Sequence, residues 1–212
     1  MTMSPLAAQL ARKTLLIFDL DGTLADSSPI HDRAFREAFA PLGIVPDYST
    51  IAGMTTDAAV DKILAHAATA VSDERRTALI EDKRKRSLAL LDSELVEIDG
   101  SVSFVRRVQP YYRLALCSSG SRPAVERTIA LLGLASAFDP VVTADDVVRG
   151  KPDTEGFRRV LDQTRTAAAD ALVFEDADSG IEAAANAGIE AIRIGPAMGW
   201  AALAAALDEA GR

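Results

Sequence analysis

The stretch Leu15-Leu16-Ile17-Phe18-Asp19-Leu20-Asp21-Gly22-Thr23-Leu24-Ala25-Asp26 decides the fold. Four apolar residues without polar alternation read as a strand covered on both faces, the usual condition of a central parallel strand. Asp19 stands at its C-terminal end, and in open α/β sheets ligands bind in the crevice outside the carboxyl ends of the strands. As the chain leaves the strand, the one-residue spacing lets Asp19 and Asp21 both face that crevice, and Gly22 supplies the turn. A turn-forming or capping role would account for Asp21 alone, but not for two carboxylates behind one such strand.

Outward from this strand the pattern has two parts. From Tyr112 onward, short apolar runs over 113–117, 141–143, 171–174 and 191–194 read as strands, and the segments 123–132, 153–163, 179–187 and 201–210 as helices. That alternation predicts an α/β fold with a doubly wound parallel sheet. Between the first strand and this region, Ile30, Ala34, Phe35, Ala38 and Phe39 recur at helical intervals, with Ser28 as the expected N-cap and Pro29 at the first helical position. Two more helices are expected over 56–68 and 73–91, and no strand among them. Such a block is too long for one crossover and too well patterned for a loop. A small helical domain, 28–99, is therefore expected as an insertion into a core built from 1–27 and 100–212. Placed directly after the aspartate pair, it would lie over the crevice and act as a lid.

The 212 residues are 49% hydrophobic and 25% charged, an ordinary globular composition. A formal net charge of −8 argues against a nucleic-acid-binding surface, so an anionic substrate would need local positive charge. The one cysteine, Cys117, fits a reducing compartment and follows an apolar run, which makes it a buried packing residue rather than a nucleophile. No apolar run approaches the roughly 18 residues of a membrane span, and the first residues lack the pattern of a cleaved signal. A cytoplasmic monomer is expected, with neither nucleic acid nor membrane as partner.

The residues after the other strands face the same crevice. Ser118-Ser119-Gly120 offers small hydroxyl donors leading into a helix whose free N–H groups favour an anion; Ser119 and Ser121 are also candidates for a cap. Arg149-Gly150-Lys151-Pro152-Asp153 brings a lysine that alone would read as a solvated loop residue. In Glu175-Asp176-Ala177-Asp178-Ser179-Gly180, Ser179 and Glu182 fit a capping box, whereas Glu175 and Asp176 have no such local duty. Three or four carboxylates around one crevice would repel one another, so a bound divalent cation is the economical explanation. A few carboxylates completed by water suit Mg2+ better than Zn2+.

Asp19-Leu-Asp21-Gly-Thr-Leu-Ala-Asp26-Ser27, then Ser118, then Lys151-Pro152, then Glu175-Asp176 closely resembles the four ordered motifs of the haloacid dehalogenase-like phosphohydrolases. The helical block between the first two motifs is similar to the subgroup with a type 1 helical cap, and the likeness spans about 15–195. The resemblance implies Asp19 as nucleophile, Asp21 as acid and base, Ser118 as phosphoryl holder and Lys151 as charge neutraliser. It also implies Mg2+ held by Asp19, the carbonyl of Asp21 and Asp176, with Glu175 as an outer ligand. That chemistry expects Asp19 ionised and Asp21 protonated at the start. One departure is Thr154, where this subgroup commonly has a second proline.

Substrate choice is expected in the insertion. Ser119, Gly120, His31 and Thr55 are the candidate substrate contacts, although His31 could equally pack within the insertion. The loop 52–57 carries Ala52 and Thr56 where β-phosphoglucomutases carry basic residues, which favours a phosphatase over a mutase that must grip a second phosphate. The run Lys83-Arg84-Lys85-Arg86 reads as a solvated helix face. The expected activity is hydrolysis of a small phosphate monoester such as a phosphosugar. A β-phosphoglucomutase-like mutase is the alternative within the family, and a receiver-like or phosphate-binding regulatory protein the alternative outside it.

Overall fold

The run 15–18 is the central strand of a five-stranded parallel sheet in the computed structural model, which describes residues 3–212. In chain order the first elements are α1 (Pro5–Ala11), β1 (Leu15–Phe18), β2 (Ala25–Asp26), α2 (Ser28–Phe39), α3 (Thr56–His66) and α4 (Asp73–Glu94). Next come β3 (Val96–Glu97), α5 (Ser101–Val108), β4 (Arg113–Cys117), α6 (Arg122–Leu131) and β5 (Val141–Val142). The chain finishes with α7 (Glu155–Thr164), β6 (Ala171–Glu175), α8 (Asp178–Asn186), β7 (Glu190–Arg193) and α9 (Trp200–Glu209).

The strand order β5-β4-β1-β6-β7 winds away from β1 in both directions, the doubly wound arrangement. All four residues of β1 are buried because successive side chains serve opposite layers. Leu16 and Phe18 pack with α1, α5, α6 and α9, while Leu15 and Ile17 pack with α7 and α8. Phe18, Phe104, Phe174 and Trp200 form one aromatic cluster, with Phe18 and Phe174 centroids 4.9 Å apart and Phe104 and Trp200 centroids 5.0 Å apart. Trp200 Nε1 donates to the Thr23 carbonyl at 3.1 Å. The rings thereby anchor the loop that follows β1, which turns core packing into a fixed position for its aspartates.

Helices α2, α3 and α4 form a separate layer with its own apolar cluster around Phe35, Phe39, Val60, Ile63 and Leu79. The chain returns from this layer through β3, which pairs antiparallel with β2, Ala25 opposite Glu97 and Asp26 opposite Val96. The block 28–99 is thus not wholly helical. A two-residue strand has no periodicity to read, and only its distant partner defines it. Helices α1 and α5 are likewise absent from the sequence expectations. Ser27, not Ser28, occupies the N-cap of α2, and α7 begins two residues later than expected, with Thr154 at its N-cap position.

Candidate active site

Asp19 leaves β1 with its N–H bonded to the Phe174 carbonyl at 3.0 Å, which seats it between the ends of β1 and β6. Glu175, the last residue of β6, is buried, and Asp176 follows it. One carboxylate oxygen from each of Asp19, Glu175 and Asp176 lies within 4.8 Å of the others. Lys151 Nζ donates to Asp19 Oδ1 and Glu175 Oε2, both at 2.6 Å, in a nearly solvent-free ion-pair triad. Burial works against the Lys151 ammonium, but these two carboxylates outweigh it and hold its pKa well above the ordinary lysine value. The remaining negative charge has no second cationic side chain in the triad.

Asp176 is fixed by Thr23 Oγ1 at 3.0 Å, and Arg193 Nη1 donates to its carbonyl at 2.6 Å. Gly22 lies against it in the left-handed region, φ +87°, where a Cβ would overlap the Asp176 carboxylate. At Gly180 a Cβ would likewise meet the Glu175 carboxylate. Only glycine admits these approaches, and the result is an all-oxygen donor set suited to a hard divalent cation. Asp19, Glu175 and Asp176, three of the residues expected around Mg2+, therefore fit such an ion, while the Asp21 side chain lies outside this cluster.

The Asp21 carboxylate turns the other way. Ser27 Oγ donates to its Oδ1 at 2.5 Å, His31 Nε2 lies 3.2 Å from the same oxygen, and Ser118 Oγ is 3.4 Å from Oδ2. Lys83 Nζ approaches His31 Nδ1 at 3.1 Å. An ammonium can only donate, so Nδ1 accepts and the Asp21-facing Nε2 carries the ring proton. Burial and the Lys83 charge lower the His31 pKa despite Asp21, in keeping with a neutral ring. Burial alone would raise Asp21, but His31, Ser27 and Lys83 together bring it down to about 2. Asp19 is raised well above its ordinary value by burial and by Glu175. The surroundings thus differ in sign: anionic Glu175 presses the Asp19 carboxyl upward against the pull of Lys151, while Lys83 and the donors Ser27 and His31 favour the Asp21 carboxylate.

Ser118 is buried beside Asp21, and its Oγ accepts from Gly120 N at 3.0 Å. Ser119, Gly120 and His31 line the cavity between the sheet edge and the helical layer, together with Asp19 and Asp21. Thr55 does not: it caps α3, accepting from Ala58 N at 3.3 Å, and packs against Gly150 in an adjoining cavity beside Lys151. Its neighbour Thr56 lines the main cavity instead. Ser179 is not the N-cap expected of it, since α8 starts at Asp178 with Ala177 at the cap. Burial raises Cys117 to about 12, so the thiol is inert, as its apolar setting implies.

The basic run 83–86 departs most from expectation. Lys83 is 5% exposed, and it and Arg84 line the cavity; Arg86 pairs with Asp82 and Glu37 outside. The signal was present in the spacing: Leu79, Lys83, Ser87 and Leu91 recur every four residues and share one buried helix face. Charge density concealed that periodicity.

A sequence model of the haloacid dehalogenase-like hydrolase family matches residues 16–194. The chain is 32% identical over 174 residues to the validoxylamine A 7'-phosphate phosphatase of Streptomyces hygroscopicus subsp. limoneus, covering 82% of this chain and 81% of that protein. It is 32% identical over 181 residues to the fructose-1-phosphate phosphatase YqaB of Escherichia coli K12, covering 84% and 95%. Its fold is similar to that of a β-phosphoglucomutase from Clostridium difficile, with a TM-score of 0.80 at 24% identity over 86% of this chain and 85% of that one.

Proposed function

The chain belongs to the haloacid dehalogenase-like hydrolases and acts as a phosphatase on phosphoric monoesters, and from that premise we propose that it hydrolyses a small phosphosugar with Mg2+ through an aspartyl-phosphate on Asp19. The observation that carries this reading is the convergence of Asp19, Lys151, Glu175 and Asp176 at one sheet edge, with Asp21 held a residue away in a separate hydrogen-bond network. The helical layer, 28–99, serves as the cap, and the segments 1–27 and 100–212 as the core.

In this reading Asp19, Asp176 and the Asp21 carbonyl hold Mg2+, with Glu175 behind them. The ion, when bound, neutralises phosphoryl oxygens and favours the charged form of Asp19. Asp19 attacks phosphorus, which splits one displacement into two. Ser118 and Lys151 hold the oxygens of the transferring group and bear its charge. Asp21 takes up a proton before the first step, passes it to the leaving alcohol, and as a carboxylate receives one from the water that attacks the aspartyl-phosphate. His31, backed by Lys83, fixes the orientation of that carboxylate and keeps a donor beside the leaving oxygen.

The test is phosphate release from fructose 1-phosphate, phosphoglycolate and β-glucose 1-phosphate with Mg2+ or chelator, for the native chain and Asp19→Asn. Metal-dependent release, reduced at least about a thousandfold in the variant, is the expected result. Conversion of β-glucose 1-phosphate to glucose 6-phosphate without net release would instead establish a mutase.

A further inference from the structure

Among the described residues, Arg84 Nε, Ser119 Oγ and Ser179 Oγ are buried side-chain atoms without a hydrogen-bond partner. Those of Arg84 and Ser119 belong to residues on opposite walls of the cavity that holds Asp19 and Asp21, one on the helical layer and one on the sheet edge. Buried polar atoms are nearly always paired, because leaving one unpaired costs about 1–3 kcal/mol. Two such atoms on residues that line one cavity therefore leave hydrogen-bonding capacity at its walls, which a ligand that draws these side chains inward can take up.

The rest of Arg84 defines what that ligand is. Its Nη2 lies 2.8 Å from Asp57 and 3.8 Å from Asp145, so carboxylates already balance the guanidinium charge. What remains is a directional N–H rather than a free cation. Lys83, the other cation on that wall, is committed to His31, and Thr56 adds a hydroxyl without charge. A second phosphate or a carboxylate on the substrate would compete with Asp57 for Arg84, whereas a hydroxyl oxygen would complete both unpaired atoms.

We propose that Arg84 Nε and Ser119 Oγ are specificity-determining groups that read hydroxyls on the alcohol half of the ester, selecting monophosphates of neutral polyols over esters with a second anion. This rests on the phosphatase reading above. Its test compares kcat/KM for fructose 1-phosphate, hexyl phosphate and phosphoglycolate in the native chain, Arg84→Lys and Ser119→Ala. The lysine keeps a cation opposite Asp57 but removes the Nε–H. The native chain is expected to prefer fructose 1-phosphate over both other esters, and each variant to lose about tenfold of the preference over hexyl phosphate, the measure of one hydrogen bond. A preference unchanged in both variants, or a native preference for phosphoglycolate, overturns the assignment. Equal losses on fructose 1-phosphate and hexyl phosphate also overturn it, leaving Arg84 to hold the helical layer against the sheet through Asp145. If the native chain hydrolyses none of the three esters, the phosphatase reading itself falls.

Discussion

Burial and the adjacent Glu175 carboxylate raise the Asp176 carboxyl to about 6, so proton and metal ion compete for it below that pH. Calorimetric titration with Mg2+ is expected to give nearly constant affinity above pH 7 and a fall approaching tenfold per pH unit below about 6. The same shift has a sign for stability. A carboxyl raised in the folded state binds more protons there than in the unfolded chain, so stability declines as pH rises from the ordinary value towards 6. Above that pH the charged form is a standing cost when metal is withheld. Asp176→Asn should therefore raise the melting temperature in chelator at pH 8, by about 2–4 °C for each kcal/mol relieved, while abolishing the increase that Mg2+ gives the native chain. An unchanged or lower melting temperature would show that Thr23 and Arg193 already offset the charge.

The loop after β1 owes its position to the aromatic cluster below it and its shape to Gly22. At φ +87° with Asp176 against it, Gly22→Ala is expected to cost at least about 1–2 kcal/mol in backbone strain and to weaken Mg2+ binding by displacing that carboxylate; denaturant melts and the same titration measure both. This loop was legible in the sequence because an apolar run fixes β1 and Asp19 follows its end directly, as Asp176 follows that of β6. The elements that escaped were those made by distant partners: β2 and β3 exist only as a pair, and α5 docks on a sheet face formed elsewhere. Helix α4 escaped differently. Its four-residue recurrence of Leu79, Lys83, Ser87 and Leu91 was hidden by neighbouring charges, and with it the buried link from Lys83 through His31 to Asp21.

The helical layer meets the sheet edge through the part-buried His31–Asp21 contact and, farther out, through exposed ion pairs. Arg127 in α6 pairs with Asp92 in α4 at 2.6 Å, but both side chains are about half exposed, and such a pair contributes only about 0–1 kcal/mol. Asp92→Ala is expected to change KM by less than about fivefold, with kcat for phosphate release nearly unaltered; a larger loss would make that pair a determinant of closure. Covalent continuity between the layers is narrower still. The chain passes outward at β2 and back at β3, and these two crossings lie side by side in a single antiparallel ladder. Such an arrangement makes the intervening 69 residues, from 27 to 95, a cassette with adjoining ends. It can be exchanged for another helical segment, or replaced by a tight hairpin turn, without rethreading the sheet. Such an exchange would also have to supply new partners for the Asp21 carboxylate, because Ser27, His31 and Lys83 all lie within the cassette.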